Sequence, residues 1–428
     1  MKKRWLQTLF IFMLAVSLPV VSVNGVQAKE VTKPKEYRNV GYVFQRGSDI
    51  SKIDVTQITH LNYSFGLIYN EEYKDVKNSE TGELFGPELN PDVATPQYFR
   101  PEQLHTIYLP PKVASDLSRL DELKAKNPDL KVLLSIGGYD ARGFSDAAAT
   151  EEARKTFAKS TKEVIAQYDL DGIDLDWEYP VNGGWGSIKA RKEDKHNFTL
   201  LLQEVRKAIG HDKLLTIAGS ANTLFTGTEA GGEDGTWTEF DKIIPILDFI
   251  NIMTYDFQYD SNYFGSALYP SKKWPAKNAN EGYWVDKAVQ NYLKNGCPPE
   301  KINLGLAFAA PIPQIVRSDE HYPIIKERLQ QAGFYDSQDP GLKRVKDLLE
   351  NKNGFTKEWD EDAKVMYIAT VFDNKKQFVM SYIEPKGLTE KLNYVKDLGL
   401  GGTMFWEFGS DYDNSMVTQI AEELSINK

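Results

Sequence analysis

Cysteine is almost absent from these 428 residues: Cys297 stands alone, so no intramolecular disulfide can form and stability must come from a packed core. Histidine is nearly as scarce, with five scattered copies and no cysteine cluster beside them, so no metal site is visible. Positive charge is in deficit, 51 basic residues against 61 acidic, which disfavours nucleic acid and anionic membrane surfaces as partners. Long apolar runs are missing except between Leu9 and Val23, and that one is short and interrupted by Pro19. It follows Lys2, Lys3 and Arg4 and precedes Val26-Gln-Ala28. Residues 1–28 therefore read as a secretory signal, and the mature chain as an extracellular protein with no membrane contact after cleavage.

Aromatic residues are abundant: 22 Tyr, 21 Phe and 8 Trp make 12% of the chain. Most will be core, but aromatic faces also stack on the apolar faces of sugar rings or bases. Acidic residues are concentrated in one place. Asp171-Gly-Ile-Asp-Leu-Asp-Trp-Glu-Tyr-Pro180 carries four carboxylates among apolar neighbours. In an extended strand Asp174, Asp176 and Glu178 face one way and Ile173, Leu175 and Trp177 the other. Three acids on one face of such a strand are costly unless that face lines a solvated, chemically active cleft. Asp171 has the opposite parity and reads as structural.

Buried strands recur along the chain with amphipathic helices between them. Strands are predicted at Asn39–Phe44, Ile58–Phe65, Lys131–Gly138, the acidic motif, Leu214–Ala218, Phe249–Asp256, Ile302–Ala307 and Gly401–Trp406. Helices are predicted at Ala114–Asn127, Ala153–Gln167, Phe198–Ile209, Val285–Lys294 and Thr389–Leu398. The alternation predicts the α/β class with a parallel sheet, and eight strands favour a closed (β/α)8 TIM barrel. No glycine-rich phosphate loop follows the first strand, which argues against a dinucleotide-binding sheet. One interval breaks the rhythm. Residues 311–385 hold short strand-like runs, Val365–Phe372 and Gln377–Met380, and read as a small α+β insertion between strand 7 and helix 7. The barrel then comprises residues 29–310 and 386–428.

These segments together resemble glycoside hydrolase family 18, the chitinases, over essentially the whole mature chain. Asp171, Asp174, Asp176 and Glu178 match the family's Asp-x-x-Asp-x-Asp-x-Glu pattern, and Ser135, Gly137 and Gly138 its Ser-x-Gly-Gly signature. Met253-Thr-Tyr-Asp256 matches the sixth-strand motif, Trp406 the end of the eighth strand, and the 311–385 interval the chitinase insertion domain. The resemblance implies a substrate of chitin or chito-oligosaccharide, no cofactor, and action as a monomer. It also implies retaining hydrolysis in which the substrate's own N-acetyl oxygen is the nucleophile.

By that resemblance Glu178 is the acid, Asp176 bonds the acetamido nitrogen, and Asp174 shares a proton with Asp176 as a coupled pair. Tyr255 would donate to the acetamido oxygen, Asp256 contact the sugar, and Trp406 floor the subsite at the cleavage point, with Met253 in its wall. Tyr42, Ser135, Gly138, Tyr139 and Tyr179 form a second rank, and Trp185, Trp237, Tyr259 and Tyr263 are candidates for outer subsites. Two departures bear on subsite preference. Phe308-Ala-Ala-Pro311 stands where many relatives have Tyr-Gly-Arg, and Tyr139 follows the Gly-Gly turn where Trp is common. The alternatives are an endo-β-N-acetylglucosaminidase acting on N-glycans or peptidoglycan, and a non-catalytic chitin-binding lectin.

Overall fold

The computed structural model describes residues 36–45, 50–70, 101–139, 141–183, 188–221, 237–257, 263–276, 282–308, 322–335, 341–350, 354–372 and 374–427. The expected signal segment, Trp185 and Tyr259 lie outside them, as do Ala309, Ala310 and Pro311.

Eight parallel strands close on themselves. In chain order they are β1 (Arg38–Phe44), β2 (His60–Ile68), β3 (Lys131–Gly137), β4 (Gly172–Asp176), β5 (Leu214–Ser220), β6 (Phe249–Met253) and β7 (Ile302–Ala307). After three further strands, β8 to β10, comes β11 (Gly402–Trp406), which lies between β7 and β1, and β1 pairs in turn with β2. This is a (β/α)8 barrel. The seventh predicted strand matches residue for residue. The acidic strand ends earlier than its pattern suggested, at Asp176, so Glu178 sits on the chain leaving the barrel mouth.

Outward residues of the strands are apolar because helices cover them. Ile173 and Leu175 are fully buried, and Trp177 behind them stacks on Phe144 with ring centroids 5.2 Å apart. The helix Glu151–Tyr168 shows how such a cover is started and stopped. Thr150 accepts a hydrogen bond from the Ala153 N–H at its first turn, where Glu151 and Glu152 complement the helix dipole. Its far end is Asp169 in the left-handed region, φ 48°. The single helix predicted at Ala114–Asn127 is two short ones, Pro111–Leu117 and Leu120–Lys124. Ser118 bonds back to the Ala114 carbonyl at 2.9 Å and Arg119, at φ −115°, leaves the helical region.

Between β7 and the helix Pro385–Asp397, strands β8 (Phe355–Asp360), β9 (Val365–Phe372) and β10 (Lys375–Tyr382) form an antiparallel sheet. Period-2 alternation splits β9 between two cores. Ile368 joins Ile325, Leu329, Val345 and Leu348 from the helices Tyr322–Gln331 and Gly341–Glu350. Tyr367 and Ala369 face the chain that follows β6, where Tyr263, Phe264 and Trp274 complete an aromatic seam. The helix Pro385–Asp397 starts on Pro385 with Glu384 as its cap and buries Leu388, Leu392 and Val395. Lys391 is buried with them, only 3% exposed, its ammonium donating to Ser266 Oγ at 2.7 Å. Ser266 in turn donates to the Thr254 carbonyl at 2.7 Å. Burial pushes the Lys391 amine down to about 7.

Candidate active site

Strand register builds the deepest layer. Ser135 of β3, Asp174 of β4 and Thr216 of β5 are paired neighbours, so two hydroxyls flank one carboxylate. Ser135 Oγ donates to Asp174 Oδ2 at 2.8 Å and Thr216 Oγ1 to Oδ1 at 2.6 Å. Across the barrel the Tyr42 hydroxyl donates to Oδ2 at 2.7 Å, and Asn251 Nδ2 reaches Oδ1 at 3.4 Å. Asp174 is fully buried, and burial raises its proton affinity above the usual carboxylate range while the four donors oppose that rise. The same burial, reinforced by the charge of Asp174, pushes the Tyr42 hydroxyl well above its ordinary value.

Asp176 lies one layer nearer the mouth, opposite Gly137. The Gly-Gly turn owes its composition to this contact. A Cβ on Gly137, at φ 122°, would stand 2.0 Å from the Asp176 carbonyl oxygen. On Gly138, at φ 98°, it would strike the Phe65 ring at 2.8 Å. The Gly138 N–H donates to the Asp176 carbonyl at 2.9 Å. Asp176 is pushed well up by burial, then by Glu178, then by Asp174, and its side chain hydrogen-bonds Glu178.

The expected pairing is thereby corrected: the carboxyl that Asp176 bonds is Glu178, not Asp174. Asp174 already accepts from four donors of its own layer, so the Asp176 contact forms nearer the mouth. The second oxygen of Asp176, Oδ1, is buried and has no hydrogen-bond partner among the described residues.

Around this pair stand the aromatic residues. Tyr179 hydrogen-bonds Glu178, and its ring lies 5.6 Å from Trp237; burial and the charge of Glu178 push its hydroxyl well up. Tyr255, just beyond β6, is likewise pushed well up by burial and by Asp176, and lies 3.9 Å from Met404 Sδ. Trp406, half-buried at the end of β11, stacks on Phe65 with centroids 5.6 Å apart and planes 19° apart. Phe44 and Tyr42 pack beside it at 5.6 and 5.9 Å. Met253 is half-buried against the cluster of Val40, Tyr42, Phe249 and Met404. Asp256, at φ 60°, and Tyr139, 46% exposed, both face solvent.

The structure separates other candidates from this group. Asp171 accepts from the Val132 N–H at 2.9 Å and pairs with Lys124 and Lys131, the structural role its parity suggested. Tyr263 is not an open subsite: it packs into the insertion seam, 5.3 Å from Trp274 and 5.4 Å from Phe378. Thr216, Asn251, Asn303, Arg38, Phe44 and Phe65 were not singled out from sequence. For the first five the signal is parity, since each is a polar or aromatic residue at an inward position of a barrel strand; Phe65 has the opposite parity to Asn62 and Ser64 and reaches Trp406 from the register irregularity in β2. Among the described residues no group of His, Cys, Asp or Glu could hold a metal ion.

The barrel thus brings hydrogen-bonded carboxyls to the carboxyl ends of its strands, inside a wall of aromatic rings. Comparison with known proteins gives the family. The description Glycosyl hydrolases family 18 matches residues 38–411, and the chain belongs to that family and is a glycoside hydrolase. It is 30% identical to Chitinase A1 of Niallia circulans over 96% of this chain, and it spans 62% of that relative's length. The structure of chitinase ChiA74 from Bacillus thuringiensis is similar with a TM-score of 0.68 and 30% identity, covering 91% of this chain and 70% of that one. A family 18 N-acetylglucosaminidase from Paenibacillus barengoltzii is similar with a TM-score of 0.65 and 29% identity, covering 91% of this chain and all of the other.

Proposed function

We propose that this protein is a secreted chitinase that hydrolyses β-1,4-linked N-acetylglucosamine polymers with retention, through an oxazolinium intermediate. The observation that carries this reading is the Asp176 carboxyl, bonded to Glu178 through one oxygen and holding its other oxygen buried and unpartnered. An acetamido N–H is the donor that oxygen lacks.

Glu178 gives its proton to the glycosidic oxygen as the C–O bond breaks. The acetamido carbonyl oxygen forms the new bond to the anomeric carbon from the opposite face, with the Tyr255 hydroxyl holding that oxygen. Asp176 accepts the acetamido N–H and balances the positive charge of the ring that forms. Asp174, with its four donors, supplies a fixed field behind it. Water then attacks the anomeric carbon, Glu178 takes its proton, and the N-acetyl group is restored with the β configuration. Trp406, buttressed by Phe65, offers its ring face to the sugar at the cleavage point.

The experiment is hydrolysis of a chito-oligosaccharide followed by proton NMR. The first-formed product is expected to be the β-anomer, and Glu178→Gln to lose turnover while retaining oligosaccharide binding; an initial α-product would refute the mechanism. A second reading, release of single N-acetylglucosamine units, is supported by the likeness to the Paenibacillus barengoltzii enzyme. Product lengths at early times separate the two. Secretion is supported by the basic start, apolar run and Val26-Gln-Ala28 of the first residues.

A further inference from the structure

We infer that Arg38, Asn303 and Asn251 form a one-way hydrogen-bonded chain that fixes which end of the Asn251 amide meets Asp174, making all three positioning residues for the reaction. The inference rests on the glycosidase reading above. Arg38 opens β1 at the end of the barrel away from the mouth, Asn303 lies near the start of β7, and Asn251 is central in β6. Arg38 Nε donates to Asn303 Oδ1 at 3.0 Å, and Asn303 Nδ2 donates to Asn251 Oδ1 at 2.9 Å. Asn251 Nδ2 is then left 3.4 Å from Asp174 Oδ1 and 3.3 Å from the Tyr42 hydroxyl. Both asparagines are fully buried.

A primary amide can face either way along such a chain, but a guanidinium has only donors. Arg38 therefore compels Asn303 to turn its carbonyl toward it and its NH2 toward Asn251. The Asn251 carbonyl is thereby taken, and its NH2 must face the carboxylate. Arg38 is itself held from two other sides, donating to the Glu300 carbonyl and lying 4.6 Å from the Phe249 ring centroid. With the amide reversed, a carbonyl dipole would oppose the Asp174 charge in a fully buried layer, where such dipoles act at low dielectric.

The titratable groups around the two ends are few. Asp174 faces Tyr42 of β1, Asp176 of β4 and Tyr255 beyond β6, and Asp176 in turn faces Glu178. Its neighbours from β3 and β5 are the hydroxyls of Ser135 and Thr216. Arg38 faces Glu300, Asp248 and His60, with Lys131 and Asp171 near the last. Burial and Arg38 push His60 down to about 3, so it is neutral across the working range.

The test is Asn303→Asp, which keeps the shape and the Arg38 contact but removes the donor to Asn251. That amide must then turn its NH2 toward the new carboxylate and its carbonyl toward Asp174. The acid limb of kcat/KM on a chito-oligosaccharide is expected to move up by about one pH unit. Asn303→Leu, which breaks the chain without adding charge, should move it the same way by less, and Arg38→Lys, which keeps a donor-only end, should leave it near wild type. Denaturation midpoints report folding, and if Asn303→Asp does not fold, Asn303→Leu decides the matter. An acid limb unmoved in the folded variants overturns the inference. An inactive wild type would instead refute the functional reading; carbon-13 NMR titration of Asp174, assigned through Asp174→Asn, would then decide, an upward shift supporting the chain and none overturning it.

Discussion

Replacing the buried Lys391 by Met should stabilise the protein at neutral pH and cease to do so in mild alkali. Lys391 is buried on the same helix as Leu388, Leu392 and Val395 with Ser266 Oγ as its hydrogen-bond acceptor, and burial pushes its amine from 10.5 down to about 7. In the unfolded chain it keeps its proton to about pH 10.4. Between those values the unfolded state binds the extra proton, so stability rises with pH across the window, and the cost of the lysine is fully present below about pH 7. That cost is at most about 4–5 kcal/mol, from roughly 1.4 kcal/mol per pH unit. The variant loses the Ser266 hydrogen bond, worth about 1 kcal/mol, and repacks imperfectly for about 1 more. The net expectation is a gain of about 2 kcal/mol at pH 6.5, falling through zero near pH 9. Urea unfolding followed by tryptophan fluorescence at pH 6.5 and 9.5, with unchanged slope, reads this directly. A difference between variant and wild type that is the same at both pH values would refute the reasoning.

Two further predictions concern the mouth of the barrel. Gly137→Ala should fail to give active enzyme even where soluble protein is recovered, because the added methyl overlaps the Asp176 carbonyl at a φ of 122°; wild-type activity in the variant would count against the geometry. Phe65→Ala removes the ring under Trp406 and should raise KM for chito-oligosaccharides about tenfold with a smaller change in kcat, measured by steady-state kinetics on a defined oligomer. An unchanged KM would mean that Trp406 is held without its buttress.

The strands were legible in the sequence because each is short, apolar and bounded by turn residues, and the acidic strand because three carboxylates on one face need a cleft. Much less legible was the layer beneath. Thr216, Asn251 and Asn303 are polar residues inside ordinary-looking strands, and only strand register around a closed barrel brings the first two to one carboxylate and the third behind Asn251. The partner of Asp176 could not be read either. Spacing allows both Asp174 and Glu178, and the choice depends on hydroxyls supplied by β1, β3 and β5. Tyr263 illustrates the converse: a loop tyrosine near an active face reads the same whether it meets substrate or a neighbouring sheet, and here the sheet takes it.

The barrel is closed by its first and last strands. Thr403 Oγ1 donates to Asn39 Oδ1 at 3.0 Å across 364 positions of chain, and the ring of Trp406 packs on those of Tyr42, Phe44 and Phe65 from the opening strands. Because the insertion precedes the closing strand, a nascent chain emerging from the ribosome carries its acidic motif long before it carries the tryptophan. The aromatic floor is therefore assembled last, when β11 docks against β1 in a pairing whose loop-closure entropy spans nearly the whole barrel.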